Sequence, residues 1–187
     1  MLDLITNTLP VLTLVGDVLV LLLIVLLLFL ILNKSNPPVF IKKLTLIISN
    51  NAIIFSLIVA SIATFGSLFY SDILNYEPCK LCWYQRILMY PQALILWLAF
   101  ILKTKDALKY SFFLSVLGAL LAGYHYLLQR GVVEVVPCST VGYSVSCAEK
   151  FFMSYGYITI PMMAFTAFVL ILCLGLIAKL SSTFSKS

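Results

Sequence analysis

Cys79 and Cys82 stand three residues apart, directly after Pro78, where a short polar segment runs into a long apolar one. Proline fits poorly inside a helix, so this pattern predicts a helix that starts near Cys79. Cysteines in a first turn feel the positive end of the helix dipole, which favours thiolate. Two sulfurs one turn apart at a membrane surface are arranged to exchange electrons. Cys79, Cys82 and Arg86 then follow an i, i+3, i+7 stripe on one face. Arg86 lies about 6 Å deeper than Cys82 along the axis. A guanidinium at that depth is expensive without a partner. It could stabilise a thiolate at Cys82 or the developing charge on an electron acceptor, or it could snorkel to the headgroups. Trp83, Tyr84 and Tyr90 read in part as interfacial anchors.

A second pair, Cys138 and Cys147, encloses eight residues of another polar loop. Pro137 and Gly142 argue against regular structure there. The loop could hold a structural disulfide, or it could be the second member of an exchange relay, which needs accessible sulfurs. C-x2-C followed by C-x8-C is loose for a zinc ribbon, and no metal is expected. Cys173, alone among Leu and Ile, reads as an inert small hydrophobe. His125 is the single histidine. It falls just inside the outer end of an apolar stretch, level with Arg86. It could be a packing residue, or an ionisable group retained for function. Two donors at one depth could grip the carbonyl oxygens of a lipid-soluble acceptor. Gly118, Ala119, Ala122 and Gly123 give small-xxx-small spacing, which lets this helix approach a neighbour closely.

The elements that must position these groups are membrane helices. The 187-residue chain is 63% hydrophobic and only 10% charged, with a mean hydropathy of +1.11. A soluble globular domain is nearer half apolar. Five apolar stretches, 9–32, 44–70, 83–102, 110–128 and 157–180, approach the roughly 20 residues needed to span. We therefore expect an all-α polytopic membrane protein in a single domain over 1–187. The net charge of +5 does not indicate nucleic acid, because the basic residues cluster at the ends of apolar stretches. Eight of them (Lys34, Lys42, Lys43, Lys103, Lys105, Lys109, Lys179, Lys186) fall on one face, against Lys80, Arg86, Arg130 and Lys150 on the other. The lysine-rich face is then cytoplasmic. This puts the N-terminus outside, the C-terminus inside, and both cysteine loops on the face where disulfides persist. The first stretch carries Asp3 and no leading base, so it reads as a retained helix rather than a signal peptide. Asp17 within it is a costly placement that implies protonation or a Ser or Thr partner on another helix.

Over roughly residues 47–177 the chain resembles the bacterial disulfide bond formation protein family, the DsbB/BdbC type of quinone-dependent thiol oxidase. Pro-Cys-Lys-Leu-Cys-Trp-Tyr-Gln-Arg (78–86) resembles its P-C-x-L-C-x-x-Q-R signature. Tyr-His-Tyr (124–126) resembles the family's histidine, and Cys-Ala-Glu-Lys (147–150) with Gly156 and Pro161 its last loop and final helix. The resemblance implies a four-helix bundle, here 44–180, with 9–32 as an extra N-terminal helix. It implies catalytic roles for Cys79, Cys82, Cys138 and Cys147. A reduced extracytoplasmic thioredoxin-fold oxidase of DsbA/BdbD type would attack Cys138. Cys147, released, would attack Cys79, and Cys82 would engage a quinone, ubiquinone or menaquinone, with Gln85, Arg86 and His125 nearby. It implies residence in the bacterial cytoplasmic membrane and exchange with the quinone pool.

Three other functions compete. A vitamin-K-epoxide-reductase-like enzyme also joins two cysteine pairs to a quinone, but its C-x-x-C opens the final core helix, whereas here it opens the second. A conduit carrying reducing power outward needs cysteines reachable from both sides, and only Cys173 lies outside the outer loops. A scaffold with structural disulfides predicts cysteines that resist mild reduction.

Overall fold

The computed structural model describes residues 2–33, 38–133, 146–148 and 152–184, with side chains from residue 6 to residue 181. Cys138 lies outside the described residues, as do Lys34, Glu134, Pro137, Gly142, Glu149, Lys150 and Lys186. The described chain is helical: α1 (Leu2–Leu32), α2 (Val39–Asn50), α3 (Ala52–Leu68), α4 (Lys80–Leu102), α5 (Ala107–Gln129) and α6 (Ile160–Phe184). Five of these, in the ranges Thr6–Leu32, Ala52–Ile73, Lys80–Leu102, Ala107–Gln129 and Ile160–Ser181, are long and apolar enough to cross a membrane. The protein is a multi-pass helical membrane protein. In lipid that is the expected solution, because a helix satisfies its own backbone polar groups.

The stretch 44–70 is not one helix. Asn51 leaves helical geometry (φ −104°, ψ 9°), and α3 starts afresh at Ala52. The Asn51 side-chain amide donates to the Ile47 carbonyl at 2.9 Å. The Asn51 N–H donates to the same carbonyl at 3.2 Å, so the side chain adds a second local bond at the junction. At its other end α3 widens into a π-helical turn, Phe69–Ile73. Such turns recur at functional sites.

Helices α3 to α6 share one core, with Ala52, Ala60, Met89, Leu96, Ala119, Ala122, Phe168 and Ile171 at its centre. The small residues of α5 seat aromatic rings of α6. A Cβ on Gly118 would stand 2.3 Å from the Phe168 ring, and one on Gly123 would stand 3.4 Å from Phe165. In α4 and α5, Ser115 donates to Gln92 at 2.9 Å, and Gln92 in turn donates to the Leu88 carbonyl. Both residues are fully buried, so each polar atom needs its partner. Helix α1 packs on α6, where Leu26, Leu27 and Leu30 surround Cys173 and Ile177. Cys173 is buried there.

The two ends of the bundle differ. Lys105 reaches Asn50, bringing the α4–α5 turn beside the α2–α3 junction. At the other end Cys79, Leu81, Leu128 and Cys147 form one packed cluster, and Arg130 donates to the Gly156 carbonyl at 3.2 Å. The described cysteines of the two loops therefore meet at one end of the bundle.

The seat of Phe168 can be tested. Gly118→Ala should lower stability by about 1–3 kcal/mol, the usual cost of overpacking, read as a lower thermal midpoint in detergent. Adding Phe168→Leu should recover part of that loss relative to the sum of the two single changes. Strict additivity would show that the ring and the glycine do not share this contact.

Candidate functional site: a dithiol between two cavities

Cys79 is the N-cap of α4. Its backbone is extended (φ −68°, ψ 169°), and its sulfur accepts from the Cys82 N–H at 3.4 Å. A thiol here takes the place usually held by Ser or Asp. The spacing places the two sulfurs 2.8 Å apart, both as free thiols. They are within about 1 Å of the covalent S–S length.

His125 is buried behind this pair. Gln85 donates to its Nδ1 at 3.0 Å. That leaves the ring proton on Nε2, which lies 3.1 Å from the Cys147 carbonyl and 3.6 Å from Cys79 Sγ. One imidazole thus touches both cysteine loops. The Cys79 thiol is pushed up to about 12, first by its hydrogen bond to Cys82 and then by burial, with His125 acting in the opposite direction. The dipole argument for a thiolate at Cys79 is overridden by that neighbouring sulfur. The contact with Cys82 thus favours the protonated form of Cys79.

Arg86 faces away from the histidine. Its Nε donates to Ser67 Oγ at 3.1 Å and its Nη2 to the Ser67 carbonyl at 3.2 Å. Trp83 lies under the guanidinium, 5.1 Å from its ring centre. Tyr90 also donates to Ser67 Oγ, at 3.3 Å. The arginine is pinned to α3 rather than free to follow the headgroups.

Beside it lies a mostly apolar cavity of about 330 Å³, walled by α1, α3, α4 and α6. Cys82, Gln85, Arg86, Tyr90, Ser67 and Tyr70 are among its polar lining, with Glu77 also at its border. Tyr70 sits in the π-helical turn and stacks on Tyr76 at 6.0 Å. Its hydroxyl is buried and has no hydrogen-bond partner among the described residues. His125 stands on the far side of Gln85, against the cysteine loop. A second cavity of only about 20 Å³ touches both thiols and is bordered by Ser146, Phe152 and Pro161. The Cys79, Cys82 and His125 donor atoms all lie within 4.8 Å of one another.

The structure thus brings Cys79, Cys82, Gln85, His125 and Cys147 together and sets Arg86 on the cavity side of the same helix. Ser67 and Tyr70 escaped the sequence reading. Ser67 is one of several Ser and Thr residues in the stretch 44–70 and Tyr70 is its last residue, and nothing in their spacing points at Arg86.

The family model described as disulfide bond formation protein DsbB matches residues 49–178. A probable disulfide formation protein of Oceanobacillus iheyensis is 42% identical over 137 residues, covering 73% of this chain and 93% of its own length. A probable disulfide formation protein C of Halalkalibacterium halodurans is 39% identical over 127 residues, covering 68% of this chain and 92% of its own. Disulfide bond formation protein C of Bacillus subtilis is 42% identical over 127 residues, covering 65% and 90%. No solved structure matches the chain significantly. With the family model spanning well over half of the sequence, the chain belongs to the DsbB family of disulfide bond formation proteins.

Proposed function

We propose that this protein makes disulfides de novo, by reoxidising an extracytoplasmic thioredoxin-fold thiol oxidase of DsbA/BdbD type and passing the electrons to membrane quinone. One observation carries the reading. The dithiol is two-faced: Cys79 packs with Cys147, and Cys82 borders the apolar cavity beside Arg86. A relay between a protein partner and a lipid-soluble acceptor needs both contacts.

In this reading the partner's dithiol reduces the Cys138–Cys147 disulfide, forming the partner's own disulfide. Cys147 then attacks Cys79 of the Cys79–Cys82 disulfide, and Cys82 leaves as thiolate. Cys138 attacks Cys147 of the resulting Cys147–Cys79 bond, which re-forms the Cys138–Cys147 disulfide and leaves Cys79 and Cys82 as the dithiol that the acceptor reoxidises. Thiol exchange of this kind proceeds sulfur to sulfur. His125 is suited to hold Cys79 and the Cys147 loop at one place, so its role is positioning at the sulfurs. A quinone, when bound, supplies the sink for two electrons and two protons. The cavity suits such a ring in size, since small-molecule sites run from about 300 Å³ upward. Arg86, Gln85 and the partnerless Tyr70 hydroxyl offer donors to its oxygens. No metal is required. Two thiolates on one tetrahedral zinc stand about 3.8 Å apart, given Zn–S bonds near 2.3 Å. The 2.8 Å separation favours exchange between the sulfurs.

The lysine-rich end is assigned to the cytoplasm on the positive-inside rule. The cysteine end and the N-terminus then lie outside, where the partner is found. Residues 44–180 form the four-helix core in this reading, and α1 is additional.

The direct test mixes purified protein with a reduced thioredoxin-fold partner and a short-tailed quinone and follows quinone absorbance. Turnover should fall to background in Cys79→Ala and in Cys82→Ala. Turnover that survives both changes removes the proposal. Arg86→Lys should raise the KM for quinone about tenfold, since lysine loses the planar fork. An unchanged KM would take Arg86 out of the acceptor site. The sulfur pair has its own signature. At pH 8 the Cys79 thiol, pushed up to about 12, should alkylate slowly, and faster as pH rises. Cys82→Ala removes the main cause, so Cys79 should then label faster at pH 8, and His125→Ala in that background should slow it again. Mass spectrometry at Cys79 reads both, and equal rates in all three proteins would deny the coupling.

A further inference from the structure

Helix α1 precedes the segment that matches the family, which begins at residue 49. Yet it is built into the site. Gly16 lies so close to α6 that an added Cβ would meet Thr166 at 3.0 Å. On the neighbouring side, a Cβ on Gly66 of α3 would meet Leu9 at 3.3 Å. The helix therefore sits between α3 and α6, over the gap where the large cavity opens. Leu9, Leu12, Thr13, Gly16 and Leu19 line that cavity, across from Cys82 and Arg86.

Asp17 fixes how α1 is seated. Its carboxylate accepts from Tyr157 Oη at 2.9 Å and from Thr166 Oγ1 at 2.6 Å. An acid in a lipid-facing helix is expensive unless satisfied. Here both donors come from one place, α6 and the turn that leads into it from the cysteine loop. Each residue of a helix advances about 100° and 1.5 Å. A shift of one residue would turn the carboxylate away from both hydroxyls. Satisfying Asp17 thus selects one rotation and one height for α1, and with them the side chains presented to the cavity.

We propose that α1 is a wall of the electron-acceptor site, with Asp17 as its positioning residue, and that Leu12, Thr13 and Leu19 shape the fit of the acceptor's apolar body. This deepens the quinone reading above and rests on it. The acceptor class is an aromatic, apolar molecule of quinone type, held between α1 and the arginine-bearing face of α4.

The test uses the full chain in detergent and a short-tailed benzoquinone as probe, with binding read apart from turnover. Leu12→Trp places an emitter in the cavity wall. Val18→Trp places one on the same helix away from the cavity: both positions are about half exposed, 48% at Leu12 and 50% at Val18, but only Leu12 lines the cavity. Quinone should quench Leu12→Trp emission saturably above the unsubstituted chain, while Val18→Trp shows only a linear, collisional loss. Asp17→Leu should raise both the half-saturation and the KM for quinone about tenfold, the order expected when the two hydrogen bonds that seat α1 are lost. The kcat at saturating quinone should stay within about twofold, because the sulfurs are untouched. Asp17→Asn keeps a carbonyl acceptor and should fall near the unsubstituted chain. It also carries the test, with Thr166→Val, if Asp17→Leu fails to fold. Equal, linear quenching at positions 12 and 18 would overturn the proposal, as would an unchanged half-saturation in a folded Asp17→Leu. Two patterns separate it from the reading beneath it. Quinone turnover with α1 variants that match the unsubstituted chain would remove the wall and keep the oxidase. Saturable quenching at Leu12→Trp without turnover in any protein would keep the wall and remove the oxidase.

Discussion

One imidazole holds the active end together. His125 receives a hydrogen bond from Gln85 on one nitrogen and points the other at the Cys147 carbonyl and the Cys79 sulfur. In lipid-embedded protein a buried polar ring has no water to fall back on, so each nitrogen must be answered by a fixed partner. Those partners come from α4, from its N-cap and from the second cysteine loop. The ring therefore ties a helix to a loop far away in sequence, and the relative placement of the two redox segments follows from it.

Around that point the polar groups are sorted by direction. The Gln85–His125–Cys147 contacts lie on the loop side of α4. Arg86, Ser67 and Tyr90 lie on the cavity side, where α3 closes over α4. Residues 85 and 86 differ by about 100° around the helix, so Gln85 borders the cavity yet bonds His125, while Arg86 bonds Ser67 of α3. Cys82 stands at the boundary and borders both cavities. The outer apolar surface is extensive, as lipid contact requires, and the tightest glycine contact lies between α5 and α6, where Gly118 admits the Phe168 ring.

Much of this could be read from residue order. Hydropathy sufficed for five helices and an all-α class, because a spanning helix must be long and apolar. Pro78 was enough to place the start of α4. Asn51 shows the opposite case: its departure from helical geometry divides a stretch whose hydropathy is continuous. Likewise His125 and Arg86 occupy similar depths, and depth alone suggested that they face one acceptor. They stand on different sides of Gln85, because depth along a helix says nothing of azimuth until the neighbours are known. Asp17 was legible only as a cost, and its two hydroxyl partners lie 140 and 149 residues further on.

By itself the sequence determined that this is a helical membrane protein with a C-x-x-C at a helix start and a second cysteine loop, since length, hydropathy and proline act locally. Tertiary structure decided what those groups touch: that Cys79 meets the Cys147 loop, that Cys82 meets an apolar cavity, and that the first helix helps to enclose it. Such contacts depend on how helices rotate against one another. That rotation is settled by packing of glycines and rings and by satisfaction of the few buried polar groups, none of which is a property of any one segment.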